Sequence, residues 1–231
     1  MTIRMALVGF LLSMIVSCGV LSISLIRPVR YVTQVYPPYQ TLNSDGTIGG
    51  PAVDLVRCAA GRAGKFTMTY GTNWPEIQRD VRDGRAEAFF GALKTDEREK
   101  YATRSDPIAT AEVIRVTMRN RQPQVPKRIA IKRGAGISDQ IKLMAGDRFT
   151  TVAYDNNDDL IEALIANEAD MFIMDGPVFD YQVFRLGRSM SLFNVAPMIE
   201  ETYGVYFSKT FVMTHPQYLR LFNDALRACR R

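Results

Sequence analysis

The sequence predicts an α/β fold arranged as two lobes, on three observations. Strand and helix patterns alternate from residue 29 onward, which marks a sheet covered by crossover helices. The series then restarts after a polar, proline-bearing stretch, Arg119-Asn120-Arg121-Gln122-Pro123-Gln124-Val125-Pro126. Finally, the last strand and helix have no partners within the second series, so the chain returns to complete the first. The expected organisation is therefore a leader at 1–27, a first lobe at 28–117, a second at 118–198, and a return to the first at 199–231.

In the first lobe, Val29 to Val35 alternates β-branched and polar residues and reads as a strand ending at Pro37-Pro38. A turn follows at Asn43-Ser44-Asp45-Gly46. Pro51 to Ala63 carries Val53, Val56, Ala59 and Ala60 at helical spacing, with Gly64 where a terminating glycine belongs. Lys65 to Tyr70 is the next strand, and Asn73 can cap a helix through Ile77 and Val81 that stops at Gly84. An apolar strand follows around Ala88-Phe89-Phe90. The second lobe offers strands at Arg128–Lys132, Phe149–Tyr154 and Ala169–Met174. Its helices are expected near Ser138–Met144 and at Asp158–Ala166, with a glycine loop at Gly134-Ala135-Gly136. Tyr203–Phe207 and a helix over Pro216–Ala228 close the chain.

Composition excludes several functions. With 47% hydrophobic residues among 231, a packed core is assured and disorder is ruled out. The net charge of +5 is spread among flanking acids, as in Arg79-Asp80-Val81-Arg82-Asp83, which argues against a nucleic-acid-binding stripe. One histidine, His215, and three separated cysteines do not supply a zinc site or a hydrolytic triad, and no cofactor is called for.

From Met5 to Ile26 no residue is charged, with Arg4 before the run and Arg27-Pro28 after it. Three readings stay open. Ser22-Ile23-Ser24 offers a small-x-small cleavage site for a secretory signal. Left uncleaved, the helical run would span about 33 Å, enough to anchor the chain in a bilayer. Ile15-Val16-Ser17-Cys18 is similar to a lipoprotein box, with Cys18 lipidated. Each places residues 28–231 outside the cytoplasm, in the periplasm or on the outer face of the cytoplasmic membrane. There Cys58 and Cys229 can pair, although two buried thiols on amphipathic helices are the expectation.

Three stretches carry a resemblance. Pro37-Pro38-Tyr39 is followed by Asp45-Gly46 and by Gly50 through Val53-Asp54-Leu55. Trp74 leads through Gly84-Arg85-Ala86-Glu87-Ala88 and Gly91 to Thr95-Asp96-Glu97-Arg98 and Ser105-Asp106-Pro107. Leu160 leads through Asn167-Glu168-Ala169-Asp170 to Met174-Asp175, then Tyr203-Gly204-Val205. In this order the set resembles the bacterial extracellular solute-binding proteins of family 3, the polar amino-acid receptors of ABC importers. The resemblance implies a periplasmic-binding-protein-like fold with two hinge crossings, for which Val116–Arg119 and Ala196–Thr202 are the candidates.

It also implies a site. Arg98 follows a capping Thr95 by three residues and takes the position of the family's carboxylate-binding arginine; its ordinary role would be a solvated pair with Asp96 or Glu97. Asp175 ends an apolar strand, where α/β sheets line their crevices, and matches the family's acceptor for the ligand ammonium; it could equally cap the next helix. Tyr36 and Trp74 match the aromatic walls of the cleft, with core packing as the alternative, and Gly91 and Gly136 line the loops that face it. Tyr39 is assigned to the core.

Departures are visible too. Leu93 replaces a hydroxyl residue five before the arginine, Ala135 and Gly136 follow Gly134 without one, and Pro51-Ala52 follow Gly50. Only backbone N–H groups of the glycine loop, with Ser138, then remain to meet a carboxylate. The expected function is an extracytoplasmic binding protein that captures a small polar amino acid or related carboxylate and delivers it to a membrane permease. A membrane-anchored accessory subunit with a degenerate cleft is one alternative. A dehydratase-like enzyme is another, but it needs a general acid, and Glu76 and Glu87 sit at no compelling position. The chain is therefore read as a non-enzyme.

Overall fold

The computed structural model describes residues 27–121, 127–137, 141 and 149–230. The leader with Cys18, and the helix expected at Ser138–Met144 apart from Ile141, lie outside them.

The first lobe opens with β1 (Val29–Gln34), then the small pair β2 (Thr41–Leu42) and β3 (Ile48–Gly49), α1 (Pro51–Ala63), β4 (Phe66–Gly71) and α2 (Trp74–Arg82). β5 (Ala88–Ala92), α3 (Asp96–Tyr101) and β6 (Ala102–Arg104) follow. The long β7 (Ala109–Met118) carries the chain to the second lobe: β8 (Arg128–Lys132), β9 (Thr150–Tyr154), α4 (Asn157–Ile165), β10 (Met171–Asp175) and α5 (Gly176–Arg185). The still longer β11 (Phe193–Ser208) brings it back to α6 (Lys209–Thr214) and α7 (Tyr218–Cys229).

Local chemistry fixes the helix starts. Asn73 accepts from the Glu76 N–H at 3.3 Å, Thr95 from Arg98 at 3.2 Å, Asn156 from Asp159 at 2.9 Å, and Asp175 from Val178 at 3.1 Å. Each cap satisfies a donor that the first helical turn leaves unpaired. α1 begins with Pro51 after Gly50, whose φ of 102° and whose absent Cβ, only 2.7 Å from the Tyr39 carbonyl, admit no other residue without strain.

The strand order β4-β1-β5-β11-β7-β10-β8-β9 makes one continuous sheet, with β6 added to β11. β1 runs parallel to β4 and β5, and β8 parallel to β9 and β10. The two halves are joined by the antiparallel β7–β11 ladder, from Ala109↔Tyr203 to Met118↔Phe193, with a register shift between Pro197 and Ile199. This ladder is the pair of crossings. Along β7, Ala111 packs in the first core and Ile114, Val116 and Met118 in the second, so the first crossing lies earlier than Val116–Arg119. On β11 the change falls at exposed residues around Met198 to Glu200, within the expected Ala196–Thr202.

The first core gathers Tyr31, Val53, Val56, Phe90, Val205, Phe207, Phe222 and Leu226; the second gathers Leu160, Ile161, Phe172, Phe179 and Phe193. α7 thus packs on the first lobe. Cys229 on this helix forms a disulfide with Cys58 on α1, which corrects the expectation of two buried thiols. Cys58 lies at an exposed position of α1 and Cys229 at a partly buried one of α7, and the return of α7 onto α1 sets the two side chains against each other. Among the described residues no helix is long and apolar enough to cross a membrane, and no group of His, Cys, Asp and Glu is placed to hold a metal.

Candidate functional site

A cavity of about 50 Å³ lies between the lobes, and Tyr36, Trp74, Gly91, Arg98, Gly136 and Asp175 all line it. The strand ends bring them there: β1, β5, β8 and β10 all point their C-terminal ends at the crevice, as open α/β sheets do.

Arg98 is 3% exposed, far from the solvated pair with Asp96 or Glu97 that its charged neighbours suggest. Its guanidinium donates from Nε to Gln78 Oε1 at 2.8 Å, from Nη1 to the Leu93 carbonyl at 2.7 Å, and from Nη2 to the Gly134 carbonyl at 3.1 Å. The Trp74 ring lies beneath it, 5.7 Å from ring centre to Cζ. Trp74 is also a core residue, edge-on to Phe89, so the wall and packing roles coincide. Leu93, without a side-chain hydroxyl, contributes its carbonyl instead.

The glycine loop behaves differently from expectation. Gly134 presents its carbonyl to Arg98 and to Gln78 Nε2, the latter at 3.2 Å, so it acts as an acceptor for the first lobe. Gly136 packs so closely that an added Cβ would lie 2.9 Å from Arg98 Nη1 and from Thr95 Cγ2. On the other wall, Gly91 holds φ at 79° within β5, and an added Cβ would fall 2.0 Å from Gln40 Nε2. Gln40 in turn donates to Thr33 Oγ1 at 2.9 Å, and both residues are buried beneath that wall.

Asp175 is buried at the end of β10 and accepts from the Val178 N–H, from Tyr203 Oη at 3.0 Å and from Tyr39 Oη at 3.3 Å. Burial pushes its carboxyl above the usual range, against the pull of these three donors. Capping and cleft lining thus coexist. Tyr39, assigned to the core from sequence, is half-buried and reaches the carboxylate across the lobes; its ring also packs 5.6 Å from Tyr203.

Lys132 and Gln34 were missed by the sequence reading. Lys132 Nζ, from the second lobe, donates to Gln34 Oε1 of the first at 3.1 Å and stands 5.4 Å from the centre of the Tyr36 ring. Burial lowers its ammonium to about 8. Both residues end their strands, so the rule that selected Asp175 points to them as well. Among the described residues, the charged groups lining the cavity are Arg98, Lys132 and Asp175. Glu87 instead pairs with Arg30 at 2.7 Å and Glu76 lies in the first turn of α2, and neither lines the cavity.

Solved structures share this architecture. An ancestral arginine-binding protein bound to arginine superposes with a TM-score of 0.73 at 19% identity, covering 88% of this chain and 92% of its own. A histidine kinase sensor domain with similarity to periplasmic binding proteins gives 0.71 at 18%, covering 88% and 90%. An ancestral amino acid-binding protein, a precursor of cyclohexadienyl dehydratase, gives 0.69 at 21%, covering 88% and 89%. At these identities the likeness concerns the fold. No curated protein sequence matches the chain significantly. The family model of the bacterial extracellular solute-binding proteins, family 3, matches residues 29–230, and with nearly all of the described fold inside that match, the chain belongs to this family of extracytoplasmic binding proteins.

Proposed function

We propose that this protein captures a small polar amino acid or related carboxylate between its lobes and presents it to a membrane permease, tethered or exported by residues 1–27. The observation that carries the reading is the placement of Arg98 and Asp175 on one interlobe cavity, a cation and an anion facing the two poles of a zwitterion. In this reading Asp175 receives the ligand ammonium, Arg98 the carboxylate, and Tyr36 and Trp74 flank the rest. The amino-acid-binding proteins among its structural neighbours support that ligand class.

A second reading has a specific observation behind it. Arg98 is bonded to Leu93, Gln78 and Gly134, so part of what a ligand would provide comes from the protein itself. That suits an accessory or sensory module whose fold serves as a docking surface, and one structural neighbour is a kinase sensor domain. A thermal-shift screen of the 20 amino acids and small di-acids separates the two. A ligand at 100 times its Kd stabilises the fold by about 2.7 kcal/mol, and a screen without any shift favours the accessory module.

A further inference from the structure

The interlobe cavity does not end at Asp175. Gln34, Lys132 and Asn157 line both it and a second, open chamber of about 370 Å³. That outer chamber also belongs to both lobes: Val35, Pro37, Gly71 and Thr72 face it from the first, and Asn156, Tyr181 and Gln182 from the second. The sizes set the division of labour. One water needs roughly 10–15 Å³ of such space, so the inner 50 Å³ holds a head group and little else. The outer chamber falls in the range of about 300–1,000 Å³ typical of small-molecule sites.

The throat between them has a definite chemistry. Lys132 Nζ is a donor held against Gln34 Oε1, and Gln34 and Asn157 carry side-chain amides. A donor beside amide groups is complementary to a peptide-type group, whose carbonyl accepts and whose N–H donates. The outer wall continues in polar and charged side chains, Asp155, Asp158 and Arg185 among them with Asp158 paired to Arg185, and Gln182 is buried there.

We infer that the ligand is an α-amino acid whose side chain bears an amide at the throat and continues into the outer chamber, the class of side-chain-linked dipeptides. The inference rests on the proposed capture of an amino-acid head by Arg98 and Asp175, and it adds the length and chemistry of the tail.

Calorimetry of the whole chain with glycine, glutamine and γ-glutamylglycine tests it. γ-Glutamylglycine should bind at least tenfold more tightly than glycine, with glutamine between them. Thr72→Trp, at an exposed position on the outer wall, should weaken γ-glutamylglycine at least tenfold and leave glutamine within twofold. Equal affinity for the three, or no effect of Thr72→Trp on γ-glutamylglycine, overturns the inference while the amino-acid reading stands. Binding of none of them, with the parent folded by circular dichroism, overturns the inference, and the amino-acid reading falls with it only if the screen of the 20 amino acids and small di-acids shows no shift either.

Discussion

The guanidinium of Arg98, in the first lobe, donates to the carbonyl of Gly134, in the second, at 3.1 Å. A hydrogen bond from a charged donor is worth more than a neutral one, about 1.5–3 kcal/mol. Gln78 adds a second donor to the same carbonyl. The loop Gly134–Gly136 is therefore fastened to the first lobe through groups that line the cavity, and the contact between the lobes draws on the same arginine that is proposed to hold the ligand.

Gly136→Ala should loosen that fastening. The new methyl would meet Arg98 Nη1 and Thr95 Cγ2 at 2.9 Å and Leu93 Cβ at 3.2 Å, closer than packed groups tolerate. The lobes should part, seen as a larger radius of gyration in solution scattering, with little loss in the thermal midpoint because each core is intact. An unchanged scattering profile would mean that the loop accommodates the methyl without moving the lobes.

Asp175→Asn separates capping from ligand capture. Asparagine caps helices about as well as aspartate, so the bond to Val178 survives. Burial raises the carboxyl's pKa, so carrying the carboxylate costs the folded state some stability relative to the unfolded chain, and removing that charge should leave stability within about 1 kcal/mol or improve it. Affinity for amino acids should drop by more than tenfold, because the ammonium loses its counter-charge. Calorimetry alongside chemical denaturation reads both. A variant that binds as before would remove Asp175 from the ammonium site.

How legible was this in the sequence? The apolar spacing of Val53, Val56 and Ala59, and the caps at Asn73, Thr95 and Asp175, are local features, and the structure has them where the pattern puts them. β7 and the first half of β11 were not read as strands: they are the crossings, where on β7 the buried positions change phase from Ala111 and Val113 to Ile114, Val116 and Met118, and on β11 Val195, Met198 and Ile199 lie exposed, so no single buried face repeats along their length. The cavity lining was legible where a motif carried it. Tyr39 and Lys132 were not, since their contacts, to Asp175 and Gln34, join residues 136 and 98 apart that only the meeting of the lobes brings together.

Lys132 predicts a pH dependence. Its pKa is about 8 in the fold against 10.5 for the free side chain, so between those values the unfolded chain binds more protons and stability rises with pH. Urea midpoints should increase from pH 7.5 to 9, below the range where the buried tyrosines, whose pKa values are raised, begin to act strongly in the opposite sense. Lys132→Met should flatten the rise. If the variant tracks the parent across this range, another group governs it.

The Cys58–Cys229 bond closes a sequence separation of 171 residues and holds α7, the last element, against α1 of the same lobe. Cross-links of this kind typically stabilise by about 2–4 kcal/mol, chiefly through the unfolded chain. Reductant, or the Cys58→Ser/Cys229→Ser double variant, should therefore lower the thermal midpoint by roughly 5–15 °C for a chain of this size. Affinity should hold within twofold, because the bond belongs to two helices that supply no cavity-lining residue. Reductant should have no further effect on the double variant. A midpoint indifferent to reductant in the parent would show that the packing of Tyr218, Phe222 and Leu226 in the first core already holds α7 in place.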